Sequence, residues 1–164
     1  MCSFGTDEYI SGLVEKYSAS LLRAAFAILK NTADAQDAVQ EAFLVLIKKQ
    51  PVFENEEHEK AWLIRVTVNK AKSMLRLSRR ASFLPIDELP EELLSEEPEG
   101  LNEPLSALML LPEKYRTVLH LYYYEGYSQK ETAAILGKPL STVETLISRG
   151  RARLKKMLEG EYEC

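Results

Sequence analysis

The stretch that most constrains the fold runs over residues 128–156 and reads SQKETAAILGKPLSTVETLISRGRARLKK. Gly137 can end one helix and Pro139 blocks its continuation, so the stretch divides into two helical segments. Each segment has a serine followed three residues later by a glutamate, the pattern of a capping box that satisfies backbone N–H groups at a helix start. The predicted boxes are Ser128 with Glu131 and Ser141 with Glu144. Two capped helices joined by a turn of about four residues indicate a helix-turn-helix.

Composition excludes several classes of protein. With 164 residues, 46% hydrophobic and 28% charged, the chain is long enough for one ordinary domain or two small ones and should fold. No apolar run approaches the roughly 20 residues that span a bilayer, and the N-terminus lacks a signal peptide pattern, so we expect a cytoplasmic protein without membrane insertion. Cys2 and Cys164 lie at opposite ends and no Cys/His cluster occurs, which predicts neither a disulfide framework nor a metal site.

The net charge of −4 is unevenly distributed along the chain. Residues 83–104 carry eight acidic side chains and no basic one, together with four prolines, which is typical of a linker. The flanking segments each carry two more basic than acidic side chains. Because charges are screened beyond about 10 Å at moderate salt, a polyanion would meet these local basic patches, and the negative total does not exclude nucleic acid.

The apolar spacing predicts an all-α protein with two small helical domains, residues 1–82 and 105–164, joined by a flexible acidic linker at 83–104. The first domain should hold about four helices. Thr6 or Asp7 would cap the first, residues 19–29 continue the pattern, and Thr32 or Asp34 starts a third that ends at Gln50–Pro51. The inner face of that third helix is expected to carry Ala35, Val39, Ala42, Phe43, Leu46 and Ile47. A long helix over 59–80 completes this domain, and Pro112 suits the first turn of another over 113–124.

In the second helix of the motif, Val143, Ile147, Gly150 and Leu154 recur at core spacing. The outward residues near its start are then the candidates to enter a DNA major groove, and the bases that follow suit phosphates. Basic residues late in a helix also complement the helix dipole, but the turn and capping pattern together favour DNA binding. The candidate contacts are Ser141, Thr142, Glu144, Thr145, Ser148, Arg149, Arg151 and Arg153, with Lys155 and Lys156 as further phosphate ligands.

The helix over 59–80 has a polar stripe in steps of about four residues, formed by Arg65, Asn69, Lys72, Arg76 and Arg80. Such a stripe can follow a phosphate backbone, while an asparagine can address a base. Trp62 can stack on an unpaired base, although a core anchor is the better interpretation of that residue alone. A solvated surface remains the alternative for the stripe.

Residues 32–49 have a second polar face, made of Asp34, Asp37, Gln40 and Glu41. This face is either an ordinary solvent-exposed surface or a docking site for a basic protein. No enzyme constellation accompanies it, since His58 and His120 are isolated in the sequence and no phosphate loop or nucleophile elbow occurs. We therefore expect neither catalysis nor a cofactor, and a partly buried core position for His120.

Three pieces of the sequence, in this order and spacing, resemble an extracytoplasmic-function (ECF, group four) sigma factor of bacterial RNA polymerase. They are DAQDAVQEAFLVLIKK, KAWLIRVTVNKAKSMLRLSRR and LPEKYRTVLHLYYYEGYSQKETAAILGKPLSTVETLISRGRARLKKML. The resemblance covers roughly residues 9–80 and 105–158. It implies that the first piece grips the clamp helices of the β′ subunit, the second melts and reads the −10 promoter element, and the third reads the −35 element.

The resemblance also implies partners and departures. The partners would be core RNA polymerase, through the β′ clamp helices and the β flap, promoter DNA and an anti-sigma factor, and the loop at 50–58 would capture a flipped base. Ser73 stands where the family usually has aspartate, and Glu144 and Leu146 replace a usual lysine and arginine. The change at Ser73 is expected to alter the packing or polar contacts of its own helix, whereas those at Glu144 and Leu146 predict weaker or differently specific −35 binding. A stand-alone dimeric helix-turn-helix regulator and a helical adaptor that binds no DNA remain the alternatives.

Overall fold

The computed structural model describes residues 7–82 and 107–159, which lie in two compact units. Every regular element in these ranges is helical, which confirms the predicted all-α class. The first unit contains α1 (Asp7–Leu29), α2 (Thr32–Lys49) and α3 (Glu56–Ser82), and the second contains α4 (Glu113–Leu119), a π-helical turn (His120–Tyr124), α5 (Gln129–Leu136) and α6 (Leu140–Leu158). The predicted linker at 83–104 and both cysteines lie outside the described residues.

In the first unit each of the three helices packs against the other two, around a core that includes Leu21, Leu46 and Leu63. Three helices occur where about four were expected, because no glycine or proline breaks residues 13–29 and α1 runs through them unbroken. The prediction for Ile47 was wrong. Its side chain is 41% exposed, since it lies beyond the edge of the apolar stripe that Phe43 and Leu46 bury.

The ends of α1 and α2 follow the sequence signals. Lys30 and Gln50 adopt left-handed backbone conformations, with φ of 54° and 46°, and each ends a helix. The Asn31 side chain accepts the backbone N–H of Asp34 at 2.9 Å, so Asn31 caps α2 and Thr32 is its first residue. The predicted break at Asn31–Thr32 and the predicted end at Gln50–Pro51 are both confirmed.

In the second unit, α5 and α6 form the predicted helix-turn-helix. The Ser128–Glu131 capping box is confirmed, with both hydrogen bonds at 3.0 Å, and Gly137 ends α5 with a φ of 64°. The second capping box, Ser141 with Glu144, was wrong. Pro139, whose ring fixes φ near its helix-starting value, is the residue before α6, and its carbonyl accepts the N–H groups of Thr142 and Val143. The helix therefore begins at Leu140, too early for Ser141 to cap it.

The helix predicted over 113–124 starts after Pro112 but changes character at His120. There the backbone widens into a π-helical turn, in which the Glu125 N–H donates to the His120 carbonyl at 3.0 Å. His120 is 1% exposed, with Nε2 3.3 Å from the Glu125 carboxylate and the ring stacked on Tyr124 at 5.2 Å. The expected core position is thus confirmed, although the ring is fully rather than partly buried.

Candidate nucleic-acid interface

The orientation predicted for α6 is confirmed. Val143, Ile147 and Gly150 are buried against the core of the second unit, and Leu154 is half-buried. Six side chains near the start of the helix face solvent: Ser141, Thr142, Glu144, Thr145, Ser148 and Arg149. The Thr145 hydroxyl donates to the Ser141 carbonyl at 3.0 Å, whereas the hydrogen bonds described for this unit include none from the hydroxyls of Ser141, Thr142 and Ser148 to their own helix.

The basic residues of α6 separate onto two sides of the helix. The Arg153 guanidinium lies 4.9 Å from the centre of the Tyr115 ring, whereas Arg151 lies 6.0 Å from the centre of the Tyr123 ring. Successive odd positions on a helix are about 200° apart, so these two side chains leave the axis in nearly opposite directions. Sequence reasoning treated them as one basic run, and the structure instead places Arg151 beside an apolar groove.

That groove has a volume of about 970 Å³ and lies between the π-helical turn and α6. Its apolar lining includes Leu108, Tyr123, Tyr124 and Leu158, and Arg151 and Lys155 stand along it. Exposed leucine and tyrosine side chains on neighbouring elements are typical of a protein-docking surface. The sequence signal that could have indicated this groove is the run of three tyrosines at 122–124.

The capping box holds the start of the helix-turn-helix through a charged side chain. Two hydrogen bonds with Ser128 lower the pKa of the Glu131 carboxyl, and the bond to the Ser128 backbone has a larger effect than the bond to its hydroxyl. Nearby, burial and the negative charges of Glu125 and Glu131 raise the pKa of Tyr127 to about 12, so this phenol stays neutral at ordinary pH. The start of α5 therefore carries groups that do not titrate near neutrality.

A pH dependence follows for Glu131. A carboxylate whose pKa is lower in the folded state stabilises the fold above its unfolded-state pKa, and this contribution is lost as the pH falls through the folded value. We expect the wild type to lose a few tenths of a kcal/mol relative to Glu131→Gln below about pH 4.5, a small effect because the carboxylate is exposed. Thermal unfolding of both proteins between pH 3 and 7 measures the difference, in which the advantage of the wild type should be full above about pH 6 and smallest at pH 3.

The stripe on α3 is present as predicted. Arg65, Asn69, Arg76 and Arg80 are exposed, and Lys72 is half-buried on the same side of the helix. Trp62 is also half-buried, which fits neither a fully buried anchor nor a free stacking platform. Its ring lies 5.7 Å from that of Phe53, edge to face, and the Phe53 ring lies 5.4 Å from His58.

The short loop before α3 is held by side chains that sequence reasoning left without a structural role. The Asn55 carboxamide accepts the His58 N–H at 2.8 Å and so caps α3. The Glu54 N–H donates to His58 Nδ1 at 3.1 Å, which requires that nitrogen to carry no proton. Phe53, His58 and Trp62 thus form one aromatic group at the start of the basic stripe, and we call it the α3 aromatic group.

The polar face of α2 is exposed at Asp37, Gln40 and Glu41, while Asp34 is half-buried at the helix start. Glu41 reaches Lys70 of α3 at 3.6 Å. The same face continues with Leu44, which is 61% exposed, and the exposed Ile47. A polar face that ends in unburied aliphatic side chains is better suited to a protein partner than to solvent.

Comparison with known proteins decides between the alternatives. The family model described as Sigma-70 region 2 matches residues 13–81, and the model described as Sigma-70, region 4 matches residues 104–154. The chain is an ECF-type RNA polymerase sigma factor. The region 2 match covers most of the three-helix unit, and the region 4 match covers the helix-turn-helix with most of α6. The resemblance drawn from the sequence is confirmed, and the stand-alone regulator and the adaptor are not favoured.

The similar proteins are RNA polymerase sigma factors as well. The chain is 28% identical to the ECF RNA polymerase sigma factor SigW of Bacillus subtilis (strain 168), over 94% of this chain and 91% of that one. It is 31% identical to the RNA polymerase sigma-E factor of Streptomyces coelicolor, over 85% and 80%. In fold it matches the sigma factor RpoE of Bartonella quintana, crystallised with the anti-sigma factor NepR, with a TM-score of 0.72, 24% identity and coverage of 91% and 96%.

The described residues of the sigma factor include neither a membrane-spanning helix nor a metal-binding cluster. None of the helices there is both long and apolar enough to cross a bilayer. Within the same residues, no group of three or more His, Cys, Asp or Glu side chains is placed to hold a metal ion.

Proposed function

We propose that this sigma factor divides its work among three faces, with the α2 face binding core RNA polymerase, the α3 stripe binding the −10 element and the outer face of α6 binding the −35 element. It supplies no chemistry, and it acts in the cytoplasm, where the polymerase carries out the reaction. The observation that supports this division is that the two units matched by region 2 and region 4 leave these faces exposed instead of packing them.

The α3 stripe is long enough to follow several nucleotides of one DNA strand. From Arg65 to Arg80 the helix rises about 22 Å, close to the length of six or seven nucleotides at 3.4 Å each. The α3 aromatic group stands at the start of that path, where an unpaired base can stack on a ring and recover part of the cost of leaving the duplex. Phosphate contacts along the stripe would hold the strand, and Asn69 can address a base.

Binding of the −35 element by one side of α6 can be tested by substituting one arginine on each side of the helix. Arg149 stands with the outward residues, whereas Arg151 lies beside the groove. We expect Arg149→Ala in the holoenzyme to weaken binding to −35 duplex DNA by about tenfold and to reduce the slope of log affinity against log salt by about one. Arg151→Ala, of the same charge change, should alter this binding less than threefold.

Fluorescence anisotropy with a labelled −35 duplex at several salt concentrations measures both quantities. Equal losses for Arg149→Ala and Arg151→Ala would show that the two arginines share one interface, against the division proposed here. An unchanged salt slope for both variants would count against α6 as the DNA-binding helix.

Protein partners would use the remaining surfaces. The polar and aliphatic face of α2 is proposed to receive the β′ clamp helices, and the groove beside Arg151 the β flap, since both surfaces join aliphatic side chains to a charged margin. An anti-sigma factor is proposed as a third partner, because the RpoE fold neighbour was crystallised with one. Such a factor would compete with core polymerase for these surfaces.

Transcription with purified core enzyme tests the proposal as a whole. Core RNA polymerase with and without the full chain is supplied with a library of genomic fragments, and the start sites are read from the transcripts. We expect a small set of start sites that appear only with the protein and share sequence about 10 and 35 base pairs upstream. Absence of such sites, together with no core binding at micromolar protein, would overturn it.

A further inference from the structure

The first turn of α3 is tied to α1 by one carboxylate. Glu59 accepts hydrogen bonds from two phenols that lie 50 and 42 residues away in the chain. The Tyr9 hydroxyl donates to Oε2 at 3.1 Å, and the Tyr17 hydroxyl donates to Oε1 at 2.8 Å. Each oxygen of the carboxylate therefore has its own donor, and the two donors are about two helical turns apart on α1.

This arrangement is stronger than a second polar link between the same helices, the ion pair of Lys16 with Glu56. Tyr17 is buried, and burial followed by the hydrogen bond to Glu59 raises the pKa of its phenol, so the hydroxyl keeps the proton that it donates. Hydrogen bonds to an ionised acceptor are about twice as strong as those between neutral groups. The ion pair of Lys16 with Glu56 is exposed on both sides and contributes little.

The first turn of α3, which holds Glu59, is also next to the α3 aromatic group. His58 directly precedes Glu59, and Trp62 follows it by three residues, one helical turn further on. His58 in turn holds the loop backbone through Glu54 and contacts the Phe53 ring. Any rotation or fraying of this turn would displace the rings of the group together.

We propose that Glu59 is a positioning residue, held by Tyr9 and Tyr17 so that the first turn of α3 presents Trp62 to an unpaired promoter base. The inference rests on the proposed −10 function of α3 and deepens it. Glu59 itself does not contact the DNA. Its effect reaches the strand through Trp62, and this route distinguishes positioning from a general contribution to stability.

The first test uses the free full-length chain, whose single tryptophan is Trp62. In the double variant Tyr9→Phe/Tyr17→Phe both donors are lost while the rings remain. We expect the constant for acrylamide quenching of Trp62 fluorescence to rise about twofold, because the turn opens more often. Lys16→Met, which removes the exposed ion pair between the same helices but keeps both phenols, is the matched control and should leave quenching unchanged.

The second test uses holoenzyme and the labelled non-template strand of a promoter recovered in the transcription experiment. We expect the double variant to bind this single strand about fivefold more weakly. The loss is smaller than the energy of the broken hydrogen bonds, because only part of it reaches the DNA through Trp62. In the Trp62→Ala background the same two substitutions should have no further effect, because the residue through which they act is gone.

The two tests separate the inference from the function on which it rests. A fivefold loss that persists in the Trp62→Ala background, or unchanged quenching in the double variant, would overturn the positioning role. If the library yields no promoter, the proposed function fails, and the quenching result still decides whether Glu59 orders the turn that carries Trp62. Thermal unfolding of every variant confirms that the first unit is folded.

Discussion

Replacing Gly150 by valine is expected to destabilise the helix-turn-helix unit by about 3 kcal/mol, although valine is the better helix former. A Cβ atom at this position would lie 2.9 Å from Leu119 Cδ1 and 3.2 Å from Tyr115 Cβ. The leucine methyl can move, but the Tyr115 Cβ is fixed to the backbone of α4. The larger side chain must therefore push α6 away from α4, which opens the core of the second unit.

Glycine at position 12 provides the matched control. Gly12 lies within α1, is exposed, and has no neighbouring atom within 4 Å of the position a Cβ would take. Gly12→Ala should stabilise the first unit by up to about 1 kcal/mol, the ordinary difference between the two residues in a helix. Far-UV circular dichroism follows both units, whereas Trp62 fluorescence reports only the first. A Gly150→Val protein whose helical transition is unchanged would show that α4 and α6 do not pack this closely.

Replacing Leu44 by aspartate is expected to weaken binding to core RNA polymerase by about 30-fold, equivalent to roughly 2 kcal/mol. The side chain is largely exposed and follows Gln40 and Glu41 along the proposed docking face. An aspartate there would lose apolar contact and place a charge against a desolvated partner surface. Because the leucine is exposed in the free chain, folding stability should change little.

Val14→Asp is the control for this substitution, because it places the same charge at an exposed aliphatic position on α1. It should change core binding less than twofold, a difference within that of ordinary surface substitutions. Titration of labelled protein with core enzyme, followed by anisotropy, gives both affinities. Equal affinities for Leu44→Asp and wild type would remove this part of α2 from the proposed interface.

Local signals predicted most of what the structure contains. The Ser128–Glu131 box, Gly137 and the apolar spacing of Val143 and Ile147 each depend on a few neighbouring residues, so their outcome can be derived from the chain alone. The cap at Ser141 failed because two local signals competed there, and the proline at 139 started the helix first. Gly150 was expected to pack closely, and the atoms around it confirm that.

Features that depend on long-range pairing were not accessible in this way. The Tyr9–Glu59–Tyr17 contact joins residues more than 40 positions apart, and no pattern within either helix indicates it. Helix spacing alone places Arg151 and Arg153 on opposite sides of α6, but the aromatic ring that each one meets depends on long-range packing, since those rings lie on the π-helical turn and α4. The exposure of Ile47 likewise depends on where α1 and α3 leave the side of α2 uncovered.

The π-helical turn has a consequence for how this chain tolerates change in length. It accommodates one residue more than an α-helical turn would, while the chain still arrives at Ser128 in the right direction to begin α5. Deleting a single residue from His120–Tyr124 would restore ordinary α-helical winding there and leave the direction of the following chain nearly unchanged, whereas a deletion within α6 would rotate every later side chain of that helix by about 100°. The chain can therefore lose one residue at this turn while α5 and α6 keep their direction, which makes the turn a place where a change in length is absorbed inside a helical segment.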